Sequence, residues 1–386
     1  MRVSPANHRM RVAIIHDWLV EMRGGEKCLE SFCELFPDAD LFTLVYAPER
    51  VSSVIRSMKV HPSAFDRLPG VRRFYRYGLP LFPRFIESFD LRDYDLVLSS
   101  SHCVAKGVLP HRALHISYVH APMRYIWDHY ESYFGSGTAL PTRSAMRLCR
   151  PYLQRWDTAA SGRVDCFVAN SKNIASKIQK LYGRKAAVIY PPVDLDKFHV
   201  GGEQNPFYLI VSALVPYKRI DLAIAAFNAL GMPLKIVGEG PLRRRLEKMA
   251  GAQVEFLGWV GDEALAQLYA SCRALIFPGE EDFGIVPLEA QASGKPVIAY
   301  GAGGVLETVI PLNGDSSEAP TGVFFYQQTV EALVETVRLF ERQSGCFDAQ
   351  QLRRHAAKFS RPKFKAAVRA FVEEKWLEYQ VLPRLA

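Results

Sequence analysis

Twelve short apolar runs alternate with stretches of helical periodicity along almost the whole chain, and this alternation constrains the fold more than any other feature. Strand candidates fall at 12–16, 41–46, 95–99, 115–119, 166–170 and 187–190, then at 207–212, 233–237, 254–257, 274–277, 296–299 and 322–325. Strands separated by helices are joined by crossovers, so they lie parallel with helices on both faces of the sheet. Between the two sets, His199-Val200-Gly201-Gly202-Glu203-Gln204-Asn205-Pro206 is polar and Gly-containing and reads as a linker. The expectation is an α/β chain of two doubly wound, Rossmann-like domains, 1–198 and 206–361. A helical segment, 362–386, follows, with Phe364, Ala367, Phe371 and Trp376 to pack it back on the first domain or onto its own. Ligands of such sheets sit beyond the carboxyl ends of the strands, and two facing domains make a cleft between them.

Composition narrows the function classes. At 49% hydrophobic and 23% charged residues the chain is an ordinary folded protein. It has no apolar run near the roughly 18 residues that cross a bilayer. Val12-Ala13-Ile14-Ile15 is broken at once by His16 and Asp17, unlike a signal peptide, and residues 1–9 read as loose, with Met10 an equally good start. Seven cysteines (28, 33, 103, 149, 166, 272 and 346) form no CxxC pair and no zinc spacing, so no metal is expected and reduced thiols in a cytoplasmic protein are. The net charge of +8 points to an anionic partner: nucleic acid, anionic lipid or a phosphate-bearing substrate.

The richest segment chemically is Glu281 to Glu289, two carboxylates with seven residues between them around Gly284. Leu275 to Pro278 reads as a buried strand, Pro287 suits the first turn of a helix and Gly294 ends it. At that helix start the backbone N–H groups of Phe283, Gly284, Ile285 and Val286 form a ready anion site. Glu289, in the first helical turn, suits ribose hydroxyls, and Glu281, on the preceding loop, suits those of a hexose. Gly-rich turns follow other strands at Arg23-Gly24-Gly25-Glu26, Gly238-Glu239-Gly240-Pro241 and Gly301-Ala302-Gly303-Gly304. None has the GxGxxG spacing, which disfavours a nicotinamide oxidoreductase.

Five segments in order carry a resemblance: Tyr217-Lys218-Arg219-Ile220-Asp221, Ile236 to Pro241, Phe256-Leu257-Gly258-Trp259-Val260, Glu281 to Glu289, and Gly303-Gly304-Val305-Leu306-Glu307. From about Arg11 to about Lys375 the chain resembles the family 4 retaining glycosyltransferases of the two-domain GT-B fold. Tyr118 to Asp128 and Ile189-Tyr190-Pro191-Pro192-Val193-Asp194 are most similar to the bacterial mannosyltransferases of O-antigen and exopolysaccharide synthesis. The resemblance implies transfer of a hexose, mannose from GDP-mannose above all, to a polyprenyl-diphosphate-linked glycan. No metal or other cofactor is implied, and the enzyme works peripherally at the inner face of the plasma membrane.

It also implies roles. Lys218 neutralises the donor diphosphate as the sugar bond breaks, a charge that a fixed cation stabilises well. Many family members carry an arginine five positions earlier, where this chain has Ala213, and Arg219 stands in for the missing charge. His120 hydrogen-bonds the hexose. Glu281 holds sugar hydroxyls, with a covalent role as the alternative. Gly24 and Gly25 offer N–H groups to the phosphates, and Gly238, Glu239, Gly240 and Val260 form the nucleotide side. From Lys59 to Arg92 the chain mixes seven basic residues, among them Arg72, Arg73 and Arg76, with Phe74, Tyr75, Tyr77, Phe82, Phe85 and Phe89, which suits an acceptor-binding or anionic membrane surface. Ser99 to His102 reads as a strand-end turn that lines the same acceptor side, with Ser101, Trp127 and Asp128 among that side's residues. Three readings compete with GDP-mannose transfer: a UDP-sugar transferase, a hydrolysing sugar-nucleotide epimerase, and a basic membrane-binding module without activity. No nucleic-acid motif is present.

Overall fold

The computed structural model describes residues 10–128, 130–135, 139–201, 205–314 and 318–381. It divides into two compact units, residues 1–190 with 365–386, and residues 191–364. The division falls before the polar stretch that reads as a linker, so the described residues from Pro191 to Phe364, those of that stretch included, belong with the second unit.

The first unit holds a parallel sheet of β1 (Val12–His16), β2 (Asp40–Thr43), β3 (Lys59–Pro62), β4 (Leu96–Ser101), β5 (Leu114–Val119), β6 (Cys166–Ala169) and β7 (Ala186–Val188), in the order β3-β2-β1-β4-β5-β6-β7. β1, β4 and β5 are buried along their whole length. That follows from helices covering both faces, which favours apolar residues, and of the polar ones that share this burial His16, Ser99, Ser100 and His115 are hydrogen-bonded. β3 escapes the pattern: Lys-Val-His-Pro has one apolar side chain and no fully buried residue, as an edge strand allows.

The second unit holds β8 (Tyr208–Val211), β9 (Leu234–Val237), β10 (Val254–Gly258), β11 (Leu275–Phe277), β12 (Val297–Tyr300) and β13 (Gly322–Phe325), also parallel, in the order β10-β9-β8-β11-β12-β13. Each sheet reverses its winding once, between β1 and β4 and between β8 and β11. The strand ends at such a reversal splay apart into a crevice, and that is where a doubly wound sheet binds its ligand.

The stretch from 59 to 92 is not one amphipathic helix. Gly78, Pro80 and Pro83 break it into the short helices Val71–Phe74, Tyr75–Leu81 and Phe82–Ile86. Tyr75, Phe82 and Phe89 enter the core with Trp18 and Phe65, while Phe74 and Tyr77 remain outside. The last described helix, Arg361–Val381, is tied to the first unit from Lys365 on. Val368, Phe371 and Val372 line a small apolar cavity together with Phe32, Ile116 and Tyr118, Lys365 pairs with Glu34 at 3.0 Å, and the Tyr379 hydroxyl donates to the Arg112 carbonyl at 2.6 Å.

Candidate functional site

In the second unit, the loops leaving β8 and β11 at the reversal bring Lys218 and Glu281 together as a hydrogen-bonded ion pair. The approach depends on Gly279, where a Cβ would lie 2.8 Å from the Lys218 Cα. The loop is also braced from behind by the turn after β12. Glu281 bridges Gly303, the Gly304 N–H donates to the Glu281 carbonyl at 2.8 Å, and a Cβ on Gly304 would come within 2.3 Å of the Phe283 Cα. Two glycines recognised only as parts of a motif are therefore what hold the acidic loop in place.

Arg219 lies between a short 3-10 turn, Pro216–Lys218, and helix Ile220–Leu230, in the left-handed region at φ 52°. A non-glycine residue is held there at some cost by its surroundings. Its guanidinium reaches Asp221 and Gln328, each at 3.4 Å.

Helix Ile285–Ala292 starts from Gly284 at φ 99°, so Ile285 and Val286 are its first residues and Pro287 lies in the first turn. Glu289 is the fifth helical residue, just past the first turn in which the sequence pattern places it. It is buried, and its Oε2 accepts a hydrogen bond of 2.9 Å from the Tyr269 hydroxyl, which comes from helix Asp262–Ser271. The loop after β9 adjoins: the Leu214 N–H donates to the Glu239 carbonyl at 2.9 Å, and Gly238 and Gly240 pack against the backbone of Ser212 and Leu214. Glu239 itself pairs with Arg243. Val260 is half-buried, beside a Trp259 that is 79% exposed.

The first unit gathers a second polar cluster at its own reversal. Gly24 and Gly25 are not a turn before the helix but the first two residues of helix Gly24–Leu35. A Cβ on Gly25 would meet both His16 and His120 at 3.8 Å. His120 follows β5, and its Nε2 lies 2.8 Å from Ser100 Oγ, which is 3.1 Å from His16 Nδ1. Glu26 lies 3.5 Å from His16 Nε2 and accepts the Arg23 N–H at 2.9 Å. Burial, then the electrostatic influence of the neighbouring His102, His16 and Arg124, hold the His120 pKa well below the ordinary value, so the ring is a neutral hydrogen-bonding group. Burial raises the Glu26 pKa, but the hydrogen bond and charge of His16 and the charge of His102 outweigh it, and the net shift is downward.

Ser99 to Ser101 are buried within β4 rather than in a turn; Ser99 meets His115, Ser100 meets His120, and Ser101 accepts the Lys106 N–H at 3.3 Å. Asp17, directly after β1, accepts four backbone N–H groups, from His102, Cys103, Val104 and Ala105, at 2.6–3.0 Å. Trp127 donates to Asp157 at 2.8 Å, in a buried group with Lys106 and Tyr182, and Asp128 pairs with Lys177 at 2.7 Å. Arg72 approaches Asp66 and Arg76 approaches Glu21, each at 3.7 Å, while Arg73 lies over the Phe74 ring. Asp17 and Tyr269 were not legible as site residues. Among the described residues, no group of three or more His, Cys, Asp or Glu side chains is arranged to hold a metal ion.

Solved structures define the class. Sucrose-phosphate synthase from Thermosynechococcus elongatus matches 96% of this chain and 100% of its own, with a TM-score of 0.71 at 17% identity. Anabaena HepE in complex with UDP-glucose matches 94% and 99%, with a TM-score of 0.67 at 16% identity. These are GT-B glycosyltransferase structures, and the chain has the GT-B fold. Residues 22–197 match the model described as Glycosyltransferase Family 4 and residues 194–361 the one described as Glycosyl transferases group 1, so the chain belongs to glycosyltransferase family 4. Its relatives include the Escherichia coli O-antigen chain mannosyltransferase C, 29% identical over 172 residues (40% of this chain, 45% of that protein). Another is the Candida glabrata alpha-1,3/1,6-mannosyltransferase ALG2, 32% identical over 257 residues (51% and 56%). The chain thus spans about half the length of the curated relatives it matches.

Proposed function

We propose that the chain is a retaining hexosyltransferase that moves mannose from GDP-mannose to a lipid-linked glycan of the cell surface. The Lys218–Glu281 pair at the reversal of the second sheet carries this reading. A cation and a hydrogen-bonding carboxylate, beside a helix start whose N–H groups point outward, are what a sugar diphosphate requires. Lys218 and Arg219 stabilise the diphosphate as it departs, the N–H groups of Gly284, Ile285 and Val286 cradle its phosphates, and Glu281 holds the hexose hydroxyls. Glu289 takes the ribose, and His120 hydrogen-bonds the sugar as a neutral imidazole. In a front-face transfer the C1–O bond to the diphosphate breaks, the acceptor oxygen bonds to the same face of C1, and its proton passes to the leaving phosphate. No covalent role for Glu281 is required.

The mannosyltransferase relatives support mannose, and the UDP-glucose held by HepE makes a UDP-sugar the competing donor. The basic residues 72, 73 and 76 serve the lipid-linked acceptor at an anionic membrane surface. No helix among the described residues is long and apolar enough to cross a membrane.

The test is a thermal-shift panel of GDP, UDP, ADP and their sugars, followed by transfer assays with the donor that stabilises. GDP and GDP-mannose should raise Tm by a few degrees, since a ligand bound only by the folded state stabilises it. Glu281→Ala and Lys218→Ala should each lose at least ~100-fold in kcat while Tm changes little. Stabilisation by UDP alone would replace the donor. No response to any nucleotide, with full activity in both variants, would end the reading.

A further inference from the structure

Large apolar side chains left in solvent concentrate in two segments of the first unit. Leu68, Phe74, Tyr77 and Leu81 stand out along the short helices before β4, with Tyr77 74% exposed. Leu140, Leu148 and Tyr152 stand out on helix Leu140–Ser161, where Leu140 is 75% and Leu148 81% exposed. That helix buries one face, through Met146, Leu153, Asp157 and Ala160. Its other face adds the exposed Arg143, Arg147 and Arg155 to the apolar residues, and its single acid, Asp157, is buried against Lys106, Trp127 and Tyr182. The solvent face of an ordinary surface helix mixes both signs of charge and keeps leucine inward; this one carries arginine and leucine and no carboxylate.

The two segments flank the same stretch of the unit. Val71, Tyr75 and Leu79 share one core cluster with Ile126, Tyr130, Met146 and Leu153, and the Arg150 guanidinium sits 4.2 Å over the Tyr130 ring. Behind them the Trp156 indole N–H donates to Glu87 at 2.7 Å, next to helix Phe82–Ile86.

We propose that helix Leu140–Ser161 and the 68–81 segment form one surface that docks on an anionic lipid bilayer, the helix lying in the headgroup plane. The arginines meet lipid phosphates, for which a planar, weakly hydrated cation is well suited. Leu140, Leu148, Tyr152 and Tyr77 bury their apolar surface at the acyl boundary. The inference rests on the membrane side of the proposed function, adds a helix that the basic 59–92 stretch does not contain, and is independent of the donor site.

The experiment is co-sedimentation of the full chain with vesicles of phosphatidylcholine alone and of phosphatidylcholine containing about a third phosphatidylglycerol. The protein should bind only the anionic vesicles, and lose most of that binding at ~0.5 M salt, where charge attraction is screened. R143E/R147E and L148S should each weaken binding by about tenfold, as should R72E/R73E. All these positions are exposed, so circular dichroism and nucleotide-induced stabilisation should stay as in the wild type. That second readout separates a failed donor reading from a failed surface. Wild-type binding that is absent or insensitive to lipid charge overturns the proposal. So do helix variants that bind like wild type while R72E/R73E does not. A concentration-dependent dimer abolished by L148S would make the surface a protein interface and overturn it as well.

Discussion

Asp17 and Glu281 are both carboxylates on loops that leave a strand, and their partners set them apart. Asp17 is fully engaged: four backbone N–H groups satisfy its oxygens and fix the chain after β4. Asp17→Asn turns one acceptor into a donor that faces other donors, and should cost about 2–4 kcal/mol in urea unfolding. Glu281 has a single ammonium partner, and its loss should register in turnover rather than in stability. Glu289 stands between these cases, because Tyr269 orients its carboxylate from inside the unit. If Glu289 holds the ribose, Tyr269→Phe should lower the preference for GDP over 2′- and 3′-deoxy-GDP by about tenfold, read by calorimetry. An unchanged preference would make the tyrosine purely structural. Lys218 and Glu281 were legible as site candidates, since they sit on loops leaving strands that the local pattern reveals. Asp17 was not, because its partners are at another strand end, 85 residues along the chain at His102. Only the assembled sheet makes them neighbours.

At the scale of elements, the second unit positions its chemistry by stacking loops. The turn after β12 supports the loop after β11, which lies on the loop after β8. Gly304→Ala inserts a methyl against the Phe283 backbone, so it should destabilise by about 1–3 kcal/mol and lower kcat by displacing Glu281. A thermal melt and an assay on the same sample check both, and normal activity would show that the brace is dispensable. Among the described residues, twelve of the thirteen strands lie on the apolar runs seen in the sequence, because strands covered on both faces are mostly apolar. β3 was missed since an edge strand needs no such composition. Helix starts were harder to place: Gly24, Gly25 and Glu289 each lie further inside a helix than the glycine pattern implies. Glycine marks both turns and close approaches, and sequence does not separate the two.

Across the whole molecule, buried histidines tie stability to pH. Burial lowers the pKa of His115 to about 4, and lowers those of His102 and His120 as well. The unfolded chain takes up these protons near pH ~6.5 while the folded chain resists them, so stability is full above that pH and declines as pH falls toward 4. For His115 alone the loss amounts to about 3 kcal/mol. The urea midpoint should therefore drop between pH 7.5 and pH 5, and His115→Gln should flatten that slope. The helix Arg361–Val381 has a different consequence. Its residues from Lys365 on cover an apolar face built from Phe32, Ile116 and Tyr118, which lie far earlier in the chain. A ribosome releases those early residues long before it makes the helix that shields them. During synthesis the first unit must wait with an open greasy flank while the second unit emerges, and a stall before Lys365 would leave it as prey for chaperones and proteases.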